Sequence, residues 1–309
     1  MDSNIPIVSE VEKAIVGKRD VIEKILTSIL ANGHILLDDV PGIGKTTIAV
    51  AISKALGLKF GRIQFTPDVL PSDITGFSMY NMESGKFEYK PGIAVFVNLL
   101  LGDEINRTSS KTQSALLEAM EERQVTVDGE THALQNPFIV IATQNNVGAA
   151  GTQLLPYAQL DRFLIKLSIG YPDRQSEMEV IRQVANPVEN ISRITSVDDM
   201  IRMQREVLNI TVRDSVVDYI ARLAEKSRNN ELLELGISPR GSLFVCKMAK
   251  ARAFVCDRDY VIPEDVQNVF TDVCAHRVIL SQTARSEKVT AKQALDTLLD
   301  ETSVPDGMK

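Results

Sequence analysis

Lys45 and Thr46 stand near the end of Asp39-Val40-Pro41-Gly42-Ile43-Gly44-Lys45-Thr46-Thr47. An apolar run, Ile35-Leu36-Leu37, precedes this stretch, and Ile48, Ala49, Ala51, Ile52, Ala55 and Leu56 follow it at helical spacing. Strand, glycine loop and helix in that order let backbone N–H groups close round a phosphate, aided by the positive end of the new helix. Gly42 and Gly44 free the backbone to wrap the anion, with Ile43 and Thr47 in the same cradle. Lys45 can reach the β- and γ-phosphates, and the Thr46 hydroxyl is placed to ligate Mg²⁺. Asp39 replaces the first glycine of the usual motif; at a strand end it need not touch phosphate.

A second chemical pair comes about 60 residues later. Val97 to Leu101 reads as a buried strand that delivers Asp103 and Glu104 at its C-terminal end, where ligands of α/β sheets collect. Asp103 suits a hard cation such as Mg²⁺, and Glu104 suits polarisation of an attacking water. After Pro137-Phe138-Ile139-Val140-Ile141-Ala142, a further strand, the Thr143-Gln144-Asn145 end offers polar groups beside those acids. Arg162, at the start of a last strand over 163–169, either pairs with Asp161 or projects into a neighbouring subunit's nucleotide. Arg240 opens a helix against the preference of its dipole, which points to an acid or anion nearby or to a solvated side chain. His34, His132 and His276 have no partner in sequence that would make them ligands or catalysts.

Composition sets the frame for these groups. With 309 residues and 44% hydrophobic residues, the chain has ample material for a core and for two domains. A net charge of −7 argues against bulk attraction to nucleic acid or anionic membrane. There is no apolar run of membrane-spanning length, and Met1-Asp2-Ser3-Asn4 lacks a basic leader, so the expected location is cytoplasmic. Cys246, Cys256 and Cys274 are spaced as core residues rather than as a metal or disulfide set.

The elements that must hold the site follow from periodicity. Helices are expected over 1–15, 20–30 and 108–122, with a strand at 62–65 and a loop over 66–72. Residues 79–89, turning at Glu83-Ser84-Gly85, read as an inserted hairpin, either a plain surface hairpin or a partner-contacting one. Residues 125–134, joined by Asp128-Gly129, read as a second hairpin. Beyond a boundary near residue 172 the pattern is helical: 175–184, 197–208, 213–227, 239–256, 263–280 and 290–299, then a polar, mobile tail. Pro239 and Pro263 sit where helices start.

Taken together, Gly33-His34-Ile35-Leu36-Leu37, Arg62-Ile63-Gln64-Phe65-Thr66-Pro67-Asp68, Asp103-Glu104-Ile105-Asn106-Arg107, Ala142-Thr143-Gln144-Asn145, Ala158-Gln159-Leu160-Asp161-Arg162-Phe163 and Ser238-Pro239-Arg240 resemble the MoxR family of AAA+ ATPases, from about Val16 to Pro305. The resemblance implies an α/β P-loop core over 1–172, with a parallel five-stranded sheet, helices on both faces and inserted hairpins, followed by an all-α lid over 173–309. It implies Mg²⁺-dependent ATP hydrolysis in a ring, usually a hexamer, that remodels or activates a protein client with a von Willebrand factor A domain partner. By position, Val16 and Gly17 resemble the adenine contacts, Asn145 sensor 1, Arg162 the arginine finger and Arg240 sensor 2. Three departures fall on the inter-subunit side: Asn146-Val147-Gly148-Ala149-Ala150 after sensor 1, Tyr157 in place of an acid, and one extra residue between Pro91 and Asp103. Two other readings differ in class. A nucleic-acid motor or loader is disfavoured by the acidic charge, and a non-hydrolysing ATP-gated scaffold by the intact Lys45, Asp103 and Glu104.

Overall fold

Alternation in the strand β1 (Ile35–Asp38) decides which layer each residue joins. Ile35 and Leu37 enter one buried cluster and Leu36 enters the other, so apolar material covers both faces of the sheet. The computed structural model describes residues 6–145, 155–182 and 187–305. It opens with α1 (Pro6–Glu12) and α2 (Arg19–Leu30), continues through β1 to α3 (Lys45–Ala55) and β2 (Phe60–Gln64), and then departs from plain αβ alternation. A short helix α4 (Pro71–Thr75) leads into the hairpin β3 (Gly76–Asn81) and β4 (Lys86–Pro91), and α5 (Ile93–Phe96) leads into β5 (Leu99–Asp103). Then come α6 (Ser110–Glu122), the hairpin β6 (Gln124–Val127) and β7 (Glu130–Ala133), β8 (Ile139–Gln144), α7 (Tyr157–Leu160) and β9 (Ile165–Leu167).

The five central strands lie in the order β2-β5-β8-β1-β9, and every pairing is parallel. The site depends on this order. It places the C-terminal ends of β2, β5, β8 and β1 side by side, with Gln64 opposite Asp103 and Asp38 opposite Gln144. Both expected hairpins form. Asp128 and Gly129 have φ of 51° and 83°, as a two-residue turn between right-twisted strands requires. The hairpins also touch: the His132 ring stacks on Tyr89 with centroids 3.7 Å apart and planes within 7°.

The rest of the chain is mostly helical: α8 (Arg174–Arg182), α9 (Val197–Asn209), α10 (Asp214–Arg228), α11 (Pro239–Val255), α12 (Pro263–Cys274), α13 (Gln282–Ser286) and α14 (Ala291–Asp300). Pro239 and Pro263 occupy first-turn positions, and the Ser238 hydroxyl caps α11 by accepting from Gly241 N. The apolar cluster on the α2–α3 side of the sheet runs on without a break into these helices.

Two expectations need correction here. Residues 66–72 are not all loop: α4 starts at Pro71, where the Asp73 carboxylate accepts from Leu70 N at 2.8 Å. The expected 263–280 helix ends at Cys274, and Ile279–Leu280 forms β11, antiparallel to β10 (Leu233–Leu235). The chain leaves the helix because Arg277 is buried and turned toward β9, where it binds Asp161 and the carbonyls of Phe163 and Leu164. The lid is therefore helical with one small ribbon. The expectations for residues 1–5, for 183–184, for the loop after Asn145 and for the final tail lie outside the described residues.

Candidate active site

The phosphate loop leaves β1 through two glycines in the left-handed region, Gly42 at φ 85° and Gly44 at φ 91°. A side chain at either would strain the backbone, although space around Gly42 is open. Gly44 caps α3, so Lys45 begins the helix and Thr46 and Thr47 follow in its first turn. Lys45 is only 8% exposed. Its ammonium donates to Asp39 O at 2.6 Å, Gln144 O at 3.2 Å and Asn145 Oδ1 at 2.5 Å. Burial lowers its pKa below the ordinary lysine value, against the opposing pull of Asp39, Asp103, Asp38 and Glu104.

Asp39, the replacement for a glycine, has work of its own. Its carboxylate accepts from the Ser168 hydroxyl, Gly170 N and Val40 N at 2.8–3.0 Å, which ties the exit of β1 to the exit of β9. Burial works to raise its pKa, but these donors hold it below the ordinary aspartate value. The Val16-Gly17 segment lies beside the loop. Ile15 is 3.8 Å from where a Gly44 Cβ would stand, and a Cβ on Gly17 would collide with Ser176 Oγ at 2.2 Å.

The acids are held by neighbours on both flanking strands. Asp103 Oδ1 accepts from Thr143 Oγ1 at 2.6 Å, and Oδ2 accepts from Arg62 Nη2 at 2.8 Å. Glu104 turns out of the strand with φ 57° and its N–H donates to the same Thr143 hydroxyl at 2.9 Å. Its Oε1 accepts from Asn145 Nδ2 at 2.6 Å; Oε2 accepts from Arg107 at 2.7 Å and Gln64 at 3.3 Å. Asn145 thus bridges Lys45 and Glu104 with the two ends of one amide. Lysine, two carboxylates and an amide converge where the five strands end, next to two helix-borne hydroxyls, Thr46 and Thr47. That set can neutralise phosphate charge, hold a hard cation and orient a water. The donor chemistry at Asp103 fits Mg²⁺: the carboxylate already carries a cation, the Arg62 guanidinium, on one oxygen.

Arg162 and Arg240 are not part of this cluster. Arg162 precedes β9, at the N-terminal end of a strand parallel to β1, whereas Lys45 follows the C-terminal end of β1. The pairing with Asp161 considered for Arg162 within one chain does not form. Arg162 pairs with Glu121 at 2.8 Å and not with Asp161, whose partner is Arg277 at 2.9 Å. Arg240 reaches the other Glu121 oxygen at 2.8 Å and Asp161 at 3.6 Å. Burial works to raise the Glu121 pKa, but Arg162 and Arg240 together hold it below the ordinary glutamate value. Glu121 lies in the last turn of α6 and Arg240 in the first turn of α11, each against its own helix dipole, and each offsets the other. A cavity of about 500 Å³ opens here, lined among others by Glu121, Arg162, Arg205, Arg240, Lys247 and Lys250.

Sequence reasoning missed Arg62, Gln64, Arg107 and Glu121 as partners of these groups, whereas Thr143 stands in the polar strand end it placed beside the acids. Arg62 and Gln64 carry a usable signal: they stand two apart on one face of a strand, at its polar end. His34 and His276 are buried and structural. His34 Nδ1 accepts from Val140 N at 3.0 Å, which leaves Nε2–H to donate to Met120 O at 3.1 Å.

Comparison with known proteins gives the following likenesses. The family model for the ATPase family associated with various cellular activities matches residues 34–165, and the model for the AAA lid domain matches residues 225–298. The uncharacterized protein YeaC of Bacillus subtilis is 47% identical over 300 residues, covering 96% of this chain and 93% of its own. The chaperone MoxR1 of Mycobacterium tuberculosis is 39% identical over 305 residues, covering 96% and 81%. A crystal structure of a candidate ATPase from Cytophaga hutchinsonii superposes with a TM-score of 0.89 at 40% identity, covering 97% of this chain and 94% of that one.

Proposed function

The chain belongs to the MoxR family of AAA ATPases and hydrolyses ATP, and from that premise we propose that it works as a ring, a hexamer by family resemblance, whose ATP sites are each shared by two subunits. The observation that carries this reading is the separation within one chain of Lys45, Asp103, Glu104 and Asn145 from Arg162 and Arg240. The first group ends the sheet on one side, and the second lies across it, paired on Glu121. A neighbour's nucleotide, docked against that side, would meet both arginines at once. Arg240 then acts on a neighbour's nucleotide rather than on its own.

In this reading Gly42, Ile43, Gly44, Lys45, Thr46 and Thr47 cradle the triphosphate, and Val16 and Gly17 flank the adenine. Thr46 and Asp103 would hold Mg²⁺, which supplies charge neutralisation at the β- and γ-phosphates when bound. Glu104 accepts the proton of the attacking water, whose oxygen bonds to the γ-phosphorus as the bond to the bridging oxygen breaks, giving ADP and phosphate. Asn145 orients that water, and Arg162 offsets the charge developing on the leaving oxygen.

We further read the ring as a chaperone-like remodeller in the cytoplasm, as MoxR1 is named a chaperone, with residues 173–309 as the lid. A protein client and a von Willebrand factor A domain partner complete the reading. Among the described residues no helix is long and apolar enough to cross a membrane. The test is the ATPase rate against protein concentration with mass measured alongside. Lys45→Ala should lose nucleotide binding; Glu104→Gln should bind ATP and hydrolyse it roughly 10²- to 10⁴-fold more slowly, the usual worth of a general base. A concentration-independent rate from a monomer would end the shared-site reading.

A further inference from the structure

We propose that Arg62 is a built-in counter-cation for Asp103 that must leave when a divalent cation enters, so that it sets the metal concentration at which the site loads. The proposal rests on the reading of Asp103 as a metal-holding acid. Arg62 is on β2, the edge strand beside β5, and the register puts its guanidinium within 2.8 Å of Asp103 Oδ2. The other oxygen, Oδ1, is held by Thr143 at 2.6 Å. Both carboxylate oxygens are therefore engaged, and among the described residues Arg62 forms the one ion pair to this acid.

Lys45 does not share the task. Its ammonium is directed at Asp39 O, Gln144 O and Asn145 Oδ1, three acceptors that match its three donors. A cation binding Asp103 Oδ2 must compete with the guanidinium already there. The Asp103 side chain is 12% exposed and Arg62 is 48% exposed, so the arginine can swing to solvent while the acid stays in place. One Arg62 nitrogen also donates to Gln64 Oε1 at 2.9 Å, and the Gln64 amide holds Glu104 Oε2. Departure of Arg62 thus loosens the restraint on the water-activating acid as well, which links metal entry to readiness of Glu104.

The test is Mn²⁺ affinity of the ADP-bound protein, read from the free-ion magnetic resonance signal, in wild type, Arg62→Gln, Arg62→Lys and Asp103→Asn. ADP affinity in chelator is measured beside it. Arg62→Gln should tighten Mn²⁺ by about fivefold, the upper worth of a partly exposed ion pair. Arg62→Lys should tighten it less, and ADP affinity without metal should not change. Unchanged or weakened Mn²⁺ binding in Arg62→Gln, with Asp103→Asn still losing it, would overturn the proposal alone. Asp103→Asn binding Mn²⁺ as wild type does would overturn the metal reading and the proposal with it. A change in metal-free ADP affinity would make Arg62 a nucleotide contact instead.

Discussion

Two variants that are each inactive should restore activity when mixed, if Arg162 serves a neighbouring subunit. The structure sets the terms. β1 and β9 are parallel, with Ile35 opposite Ile165 and Leu37 opposite Leu167. From the level of Ile35 to Asp39 the chain rises about 13 Å at ~3.3 Å per residue. Arg162 lies before that span and Lys45 after it, and Arg162 is anchored to Glu121 on the far side. A finger of this type is worth about 10³- to 10⁵-fold in related phosphate-loop enzymes, so Arg162→Ala alone should fall nearly to background while still binding ATP. Glu104→Gln should be inactive for a different reason. In an equal, fully exchanged mixture, about one quarter of the interfaces pair an intact Glu104 with an intact Arg162. The expected rate is therefore about a quarter of wild type, from two preparations that have almost none. The assay is phosphate release after subunit exchange has been verified by fluorescence transfer between labelled chains. A mixture no more active than the mean of its parts, with exchange complete, would refute the placement of Arg162 in a shared site.

Two further outcomes follow from groups away from the nucleotide. His34 and His276 are held neutral, their pKa values pushed well below the ordinary histidine range by burial first and then by Arg123 and Arg277. The unfolded chain takes up protons at both rings below about pH 6.5 and the folded chain does not, so stability is fully present above that pH and falls as pH drops, by up to about 1.4 kcal/mol per pH unit for each ring. Urea unfolding between about pH 7.5 and 5.5 measures this slope, and His34→Gln should remove about half of it; a flat profile in wild type would contradict the assignment. His132→Ala should loosen the contact between the two hairpins by about 0.5–1.5 kcal/mol, the worth of an aromatic pair. Faster amide exchange in β3 and β4 at unchanged ADP affinity is the expected signature, and unchanged exchange would show that the Tyr89 stack does not hold them together.

The sheet and the phosphate loop were legible because their cause is local. An apolar strand, two glycines that need positive φ and an apolar-striped helix specify one another within about 25 residues of sequence. The same holds for Asp128-Gly129 and for the prolines that open α11 and α12. What was not legible is set by strand order. Nothing in sequence spacing says that β2 is next to β5, so Arg62 and Gln64 could not be assigned to Asp103 and Glu104, some 40 residues away. Arg277 illustrates the same limit in reverse. Its segment has helical periodicity, and the helix stops because a buried guanidinium has acceptors on β9.

The hydrogen bonds of the site also constrain how it can turn over. Each charged group assigned a role in hydrolysis is engaged by another part of the chain: Lys45 by two carbonyls and Asn145, Asp103 by Arg62 and Thr143, Glu104 by Asn145, Arg107 and Gln64, and the two remote arginines by Glu121. Buried or half-buried charges without such partners would be costly. ATP must therefore exchange these contacts rather than fill an idle pocket. Asn145 is the shared node, since its two amide ends hold Lys45 and Glu104, the residues proposed to bind phosphate and to activate water. Drawing Lys45 toward phosphate releases the oxygen end of that amide, and Glu104 then loses a partner held in a fixed direction. Occupancy of the phosphate site and freedom of the acid are coupled through one side chain. In the proposed shared site the arginines on Glu121 would add a second condition, since a competing anion must displace that carboxylate to engage them. In the proposed ring, a chain on its own meets the first condition with ATP and lacks the neighbour that would meet the second.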